Sequence, residues 1–327
     1  MSHAVCGSVA PMSTITLGVL FVFSVAAQAV AQEIKITLLG TGNPIPTLDR
    51  FGPSALVEAG RERLLIDCGR GATQRLWQLR VLLGAVTAVF LTHLHSDHVI
   101  GIPDLWLTGW VGGPSGNRPG PFEIFGPTGT SEMMTNLENA FQADIRFRLA
   151  EGIQRRGLPV VAKDIRAGVI YDKNGVKVTA FEVDHVTAKP AFGYRIDFGG
   201  RSVVFSGDTR QSDNLIEASK GVDVLVHEVA WAPPELVAKS EPARNVIGLH
   251  TTPQDAGTVF SKVKPRLAVF SHLLLFTTDP KISSLTAADV LQEARKTYPG
   301  PLEVGEDLLA INISDKIAVS RSAVTAR

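Results

Sequence analysis

Six consecutive residues, His93-Leu94-His95-Ser96-Asp97-His98, bring three imidazoles and a carboxylate together. If buried, each must be desolvated and hydrogen-bonded, and so many groups cannot all be satisfied without a common partner. A divalent cation is such a partner, and His and Asp are ligands suited to zinc at about 2.0–2.2 Å. Three further groups follow apolar, strand-like runs: His185 after Thr179 to Asp184, Asp208 after Val203 to Phe205, and His272 after Leu267 to Phe270. One histidine after a strand would read as structural. Three such groups together with the cluster read as a metal centre.

The elements that must position these groups are legible. The cluster follows Ala88-Val89-Phe90-Leu91, and a strand ending there projects it from the carboxyl edge of a sheet, where α/β proteins place ligands. Ile34 to Leu39, Leu64 to Ile66, Val86 to Leu91, Val176 to Val183, Tyr194 to Phe198, Ser202 to Phe205, Val222 to Val226 and Leu267 to Phe270 are predicted strands, rich in Val, Ile and Phe. Ala72 to Leu83 has helical apolar spacing. Thr252-Pro253-Gln254-Asp255 reads as a capping box with proline at the first helical position, and Thr286 opens a second capped helix. Val111 to Pro121 is a loop. Strands in both halves with helices between them predict an α/β layered domain.

Composition narrows the class. The chain has 327 residues, 45% hydrophobic and 20% charged, which excludes wholesale disorder. Lys+Arg 32 against Asp+Glu 32 leaves no net charge. The basic excess that replaces counterions on nucleic acid is absent globally, which disfavours a nucleic-acid partner without excluding a local patch. The two cysteines, Cys6 and Cys68, cannot build a disulfide framework. Ile15 to Val30 is apolar, uncharged and short for a membrane span, and is followed at Ala29-Val30-Ala31 by a small-x-small cleavage pattern. Residues 1–31 are therefore expected to be a signal peptide or short anchor, with no Lys or Arg ahead of the apolar run, and 32–327 a single hydrolase domain. The expected location is periplasmic or secreted, with no stable membrane partner after cleavage.

From Ile34 to about Leu275 the chain resembles the metallo-β-lactamase-fold hydrolases, and within them the ribonuclease Z-like and arylsulfatase-like branch. The matching stretches are Leu39-Gly40-Thr41-Gly42, Asp67-Cys68-Gly69, Thr92 to His98, Val183-Asp184-His185 with Gly193-Tyr194, Ser206-Gly207-Asp208-Thr209, His227-Glu228, His250-Thr251-Thr252 and Ser271-His272. The resemblance implies an α/β (α+β) fold, a four-layer αββα sandwich with two zinc ions at one end. It implies that His93, His95 and His185 hold one zinc, that Asp97, His98 and His272 hold the other, and that Asp208 bridges them. A hydroxide between metals about 3.5–4 Å apart would be the nucleophile. Asp67 would orient a histidine ligand, and Glu228 with His250 would relay a proton to the leaving group. Asp97, Glu228 and His250 are thus the candidate catalytic residues, and His227 is read as structural.

Some segments depart from the family. Ribonuclease Z clamps transfer RNA with a long Gly/Pro-rich arm, and Gly126 to His185 has no clear counterpart to it. That segment carries Arg146, Arg148, Arg155, Arg156, Lys163 and Arg166, read as a solvated basic face or a phosphate patch. Arg70 stands where the family usually has an acidic residue, and could bind an anion. Trp106 and Trp110, four residues apart, are either helix packing or an apolar wall for a small substrate. With the leader and the neutral charge, the expectation is an exported dinuclear zinc hydrolase acting on a small ester-like, lactone or aryl molecule. The alternatives are a phosphodiesterase or endoribonuclease of ribonuclease Z type, a β-lactamase or hydrolytic dehalogenase, and a non-catalytic metal-binding protein. Pairing with a second copy of the chain is left open.

Overall fold

Apolar side chains recur at every second position in Ile34–Gly40 and Val176–Val183, and in the computed structural model both are strands with those positions buried. The structure describes residues 1–7, 32–113, 116–276 and 285–321. The chain divides into two units, Met1–Val30 and Ala31–Arg327, and the second is described below. The apolar run expected to be a leader lies outside the described residues.

The described strands are β1 (Ile34–Gly40), β2 (Ser54–Ala59), β3 (Glu62–Ile66), β4 (Ala88–Phe90), β5 (Phe122–Gly126), β6 (Val160–Asp164), β7 (Gly168–Lys173), β8 (Val176–Val183), β9 (Ala191–Phe198), β10 (Arg201–Phe205), β11 (Val224–Trp231), β12 (Leu267–Leu275), β13 (Leu302–Val304), β14 (Leu309–Ile313) and β15 (Ile317–Arg321). They form two sheets, ordered β15-β14-β1-β2-β3-β4-β5-β6 and β13-β12-β11-β10-β9-β8-β7. Each sheet is antiparallel where hairpins connect neighbours. Each turns parallel at β3-β4-β5-β6 and at β10-β11-β12-β13, where crossovers intervene. The loops after β4 and β10 carry the His93 to His98 cluster and Asp208, while His185 follows the antiparallel β8 and His272 lies within β12.

Four layers follow from what each face buries. Ile36, Phe90, Val178, Tyr194, Val203 and Ile311 fill the space between the sheets. The outer face of the first sheet packs Leu56, Leu65 and Val89 against helices α1 (Ala72–Gln78) and α3 (Ile102–Trp110), beyond the short α2 (Ser96–Val99). The outer face of the second packs Leu225, Val229 and Phe270 against Val259 and Phe260 of α9 (Pro253–Val263) and Val290 of α10 (Ala287–Ala294). This is the expected αββα sandwich. The segment between Gly126 and His185 folds as α4 (Thr130–Ala140), α5 (Gln142–Ala150) and strands β6 to β8. The remaining helices are α6 (Asp213–Ala218), α7 (Pro234–Lys239) and α8 (Glu241–Ile247).

Element boundaries differ from expectation for local reasons. The helix expected over Ala72 to Leu83 stops at Gln78, because Arg80 turns left-handed (φ +57°) and Val81 N–H bonds back to Leu76 O at 2.9 Å. The strands expected to end at Val226 and Phe270 run on to Trp231 and Leu275. Their parallel pairing continues across an irregularity, with Glu228 opposite Ser271 but Val229 opposite Leu273. His272 is therefore the extra residue of a β-bulge inside β12, rather than a loop residue after it, and it takes φ +46°. The capping at Thr286 is as expected, with Asp289 completing the box.

Candidate metal centre

Asp67 stands just past β3 with φ +56°, where its N–H bonds to Phe90 O at 2.9 Å. This lays it under the loop after β4. Its Oδ1 accepts from Thr92 N–H at 2.8 Å, and its Oδ2 from Thr92 Oγ1 at 2.8 Å and from His98 Nδ1 at 2.8 Å. His98 therefore keeps a proton on Nδ1 and turns its Nε2 inward. His93 is set the same way, Nδ1 donating to Thr92 Oγ1 at 3.0 Å, and His185 donates Nδ1–H to Leu249 O at 3.1 Å. A carboxylate, a hydroxyl or a carbonyl behind each of these three rings fixes the tautomer a metal ligand needs.

The inward atoms converge. His93 Nε2 lies 2.9 Å from His95 Nδ1, which lies 3.3 Å from His185 Nε2. His98 Nε2 lies 3.6 Å from Asp97 Oδ2, and His272 Nε2 is 3.4 Å from the same oxygen. Asp208 Oδ2 faces both groups, 3.8 Å from His93, 3.9 Å from His185, 3.5 Å from His98 and 3.4 Å from His272. His93 and His185 have already placed their protons elsewhere, so both turn lone pairs toward His95 Nδ1, which can answer at most one of them with a proton and leaves the other contact repulsive. A cation between them removes that repulsion, and tetrahedral zinc at about 2.05 Å per ligand spaces its nitrogens about 3.3 Å apart. His98 Nε2 and Asp208 Oδ1 are buried with no hydrogen-bond partner among the described residues. The residues present thus fit metal ions.

Charge in the cluster is already polarised. Burial would raise the Asp208 carboxyl, but His272, His98 and His93 around it hold it well below the carboxylate range. Burial pulls His98 down, yet Asp208 and Asp67 raise it well above the ordinary histidine value. His93, buried and beside His98, is driven well below that value. The site is a carboxylate-centred nest for positive charge.

Backbone geometry delivers Asp208. Gly207 turns with φ +60°, and a Cβ there would come within 2.6 Å of Phe192 O. Beside Asp208, Glu228 on the inner face of β11 is buried and held by three donors to Oε1: Thr209 N–H at 3.1 Å, Thr251 N–H at 3.1 Å and His250 Nδ1 at 3.2 Å. Burial lowers His250, but Glu228 and Asp208 outweigh it and push the ring up to about 9. His250 Nδ1 lies 4.0 Å from Asp208 Oδ2, at the rim of the ligand group. His227 points to the other side of β11, against Phe260, with Nδ1 on Glu228 O at 2.7 Å, and is structural.

The expected apolar wall falls elsewhere. Trp106 and Trp110 are buried in the layer between the first sheet and its helices, with indole N–H groups on Leu158 O at 2.9 Å and Gln154 O at 2.7 Å. They pack the helix and wall no substrate. Arg70 is exposed, and among the described residues its side chain makes no hydrogen bond or ion pair. Thr92, Thr209, Thr251 and the Leu249 carbonyl join the site unforeseen. Thr92 was the one with a signal, as the hydroxyl next to the first histidine of the cluster.

Residues 62–273 match the family model described as a beta-lactamase superfamily domain. Ribonuclease Z of Mycobacterium bovis (strain BCG / Pasteur 1173P2) is 34% identical over 281 residues, covering 86% of this chain and 98% of that protein. In fold, the chain is similar to the metallo-beta-lactamase fold protein YhfI from Bacillus subtilis (TM-score 0.66, 17% identity, 86% of this chain and 100% of that one). It is also similar to the short form of human tRNase Z (TM-score 0.62, 21% identity, 85% and 98%).

The match to ribonuclease Z overturns the expectation of an exported hydrolase for small ester-like, lactone or aryl molecules. That expectation rested on a zero net charge, which averages over the whole chain and says nothing of one cleft. It rested also on reading the apolar run Ile15 to Val30 as an export leader, a run that lies outside the described residues. The chain is a metal-dependent hydrolase of the beta-lactamase superfamily, and within that superfamily it belongs to the ribonuclease Z family.

Proposed function

We propose that this protein is a phosphodiesterase that cuts RNA endonucleolytically, as its relatives' name describes. The observation that carries the reading is the Glu228–His250 pair. It sets a protonated imidazole at the rim of the ligand cluster, on a carboxylate fixed by two backbone N–H groups. A metal-storage protein has no use for that proton.

We assign His93, His95 and His185 to one zinc ion, Asp97, His98 and His272 to a second, and Asp208 to a position between them. Bound there, two such ions would supply Lewis acidity to a phosphate oxygen and an activated water. The rest is done by side chains. Asp67 and Thr92 hold His98 and His93 in one tautomer. Glu228 holds His250 so that its ring can give a proton to the leaving oxygen as the P–O bond breaks, help typically worth about 10²–10⁴-fold. A depression of about 250 Å³ lined by His93, His95, Thr128 and Thr187 to Pro190 gives the scissile group access to the cluster.

The test is a substrate panel on zinc-loaded protein: an RNA with a 3′ trailer, bis(p-nitrophenyl) phosphate, an aryl sulfate, a lactone and a β-lactam. Cleavage of the RNA at an internal bond is expected. Turnover of the last three alone would reject the proposal. Elemental analysis of the same sample should give close to two zinc ions per chain.

A further inference from the structure

Two depressions share one ridge beside the cluster. The first, about 250 Å³, is lined by the buried His93 and the exposed His95 and ends at Lys189 and Pro190. The second, about 490 Å³, begins at the same two residues and is lined by Asp184, Ser212 and Asn214. A substrate whose scissile group sits at the histidines and which continues from the first depression into the second crosses Lys189.

The charges on the ridge favour an anion there. The Asp184 carboxylate is already held by Arg210, through Nε at 3.2 Å and through Nη2. Lys189 Nζ lies 3.8 Å from the other Asp184 oxygen, beyond hydrogen-bond range, and its side chain is 67% exposed. Asp184, Arg210 and Lys189 therefore sum to one surplus positive charge, carried by the flexible member. The second depression holds the carboxylates of Glu182 and Asp184 and the polar groups of Ser212 and Asn214. Those acceptors suit hydroxyl and amino donors, not phosphate.

We propose that Lys189 binds the phosphate that neighbours the scissile one, and that the second depression takes the attached nucleoside. The site is thereby a reader of polynucleotide chain rather than of a single diester. This rests on the phosphodiesterase reading above and adds a specificity-determining residue to it. The lysine is a point charge on a mobile stem, so it would position the chain without reading sequence.

The experiment measures binding apart from cleavage. Zinc-loaded wild type, Lys189→Ala, Lys189→Arg and Lys316→Ala are titrated with a fluorescent 2′-O-methylated oligonucleotide, which resists hydrolysis, across a salt series. Lys316 lies in the turn between β14 and β15, at the opposite end of the first sheet, and its loss removes the same charge. Lys189→Ala should weaken binding about fivefold and flatten the salt slope by about 0.7, the value for one phosphate on a single strand. Lys189→Arg should keep the slope, and Lys316→Ala should match wild type. Equal losses in Lys189→Ala and Lys316→Ala, or weaker binding with an unchanged slope, would overturn the proposal, as would no change in Lys189→Ala. If wild type binds the probe but leaves a cleavable RNA intact, the ribonuclease reading fails while the lysine contact stands.

Discussion

Asp67 has no oxygen left for a metal. Thr92 and His98 take both of them, so its task is to choose which His98 nitrogen carries the proton. Asp67→Ala should lower zinc affinity about 10–100-fold, as loss of a group behind a ligand does, in a competition titration with a chromogenic chelator. An unchanged affinity would show that Asp67 only closes the loop. His250→Ala should keep full metal content and the fold, yet lose about 10²–10⁴-fold on RNA and far less on bis(p-nitrophenyl) phosphate, whose leaving group needs no proton. Equal losses on both substrates would remove the proton-donor role; loss of metal would make His250 a ligand. The ligand types were readable because imidazole and carboxylate have few substitutes at a cation and several lie side by side. Thr209 and Thr251 were not readable as partners, and Thr92 was marked only by standing next to the first histidine. Their roles exist only once residues 67, 92 and 98, or 209, 228 and 251, have been brought together by strands far apart in sequence.

At the scale of elements, runs rich in Val, Ile and Phe revealed β1 and β8 to within a residue, because β1 is buried on both faces beyond Lys35 and β8 on its inner one. The bulge at His272 was invisible, since nothing in Ser271-His272-Leu273 marks an extra residue; only the parallel partner β11 reveals it. Gly207 shows how an element end aims a ligand. Gly207→Ala must push a methyl into Phe192 O and hold a left-handed backbone, so a loss of about 1–3 kcal/mol is expected in chemical unfolding, with weaker zinc binding through Asp208. A variant as stable as wild type would mean that the turn relaxes freely. The spacing of Trp106 and Trp110 fits a wall as well as a core, and the hydrogen bond of each indole decides for the core. Trp106→Phe should therefore cost roughly 1–3 kcal/mol of stability through the stranded Leu158 carbonyl and leave KM for RNA unchanged. A raised KM at unchanged stability would restore the substrate-wall reading.

For the whole molecule, the sandwich puts the carboxyl ends of its parallel strands at one edge, and the candidate ligands from four separate segments, residues 93–98, His185, Asp208 and His272, meet there. We propose that residues 1–31 are removed from the mature protein, which mass spectrometry of the native chain should find beginning near Gln32; an intact Met1 would reject this. The same edge is where stability and metal are linked. Without cations, His98 Nε2 and Asp208 Oδ1 lie buried and unpartnered among the described residues, and the lone pairs of His93 and His185 share the single nitrogen of His95 between them. A cation bound only by the folded chain stabilises it by about 2.7 kcal/mol at a hundredfold excess over Kd. For a domain of this size each kcal/mol moves Tm by about 2–4 °C, so stripping the protein with a chelator should lower Tm by about 5–10 °C, and added zinc should restore it. Asp208→Ala removes the group that faces both ligand sets, so its Tm should respond to zinc far less than that of wild type. A stripped protein that melts where the loaded one does, with metal loss verified by elemental analysis, would show that these ligands are held by their own hydrogen bonds and that the cluster is not organised around a cation.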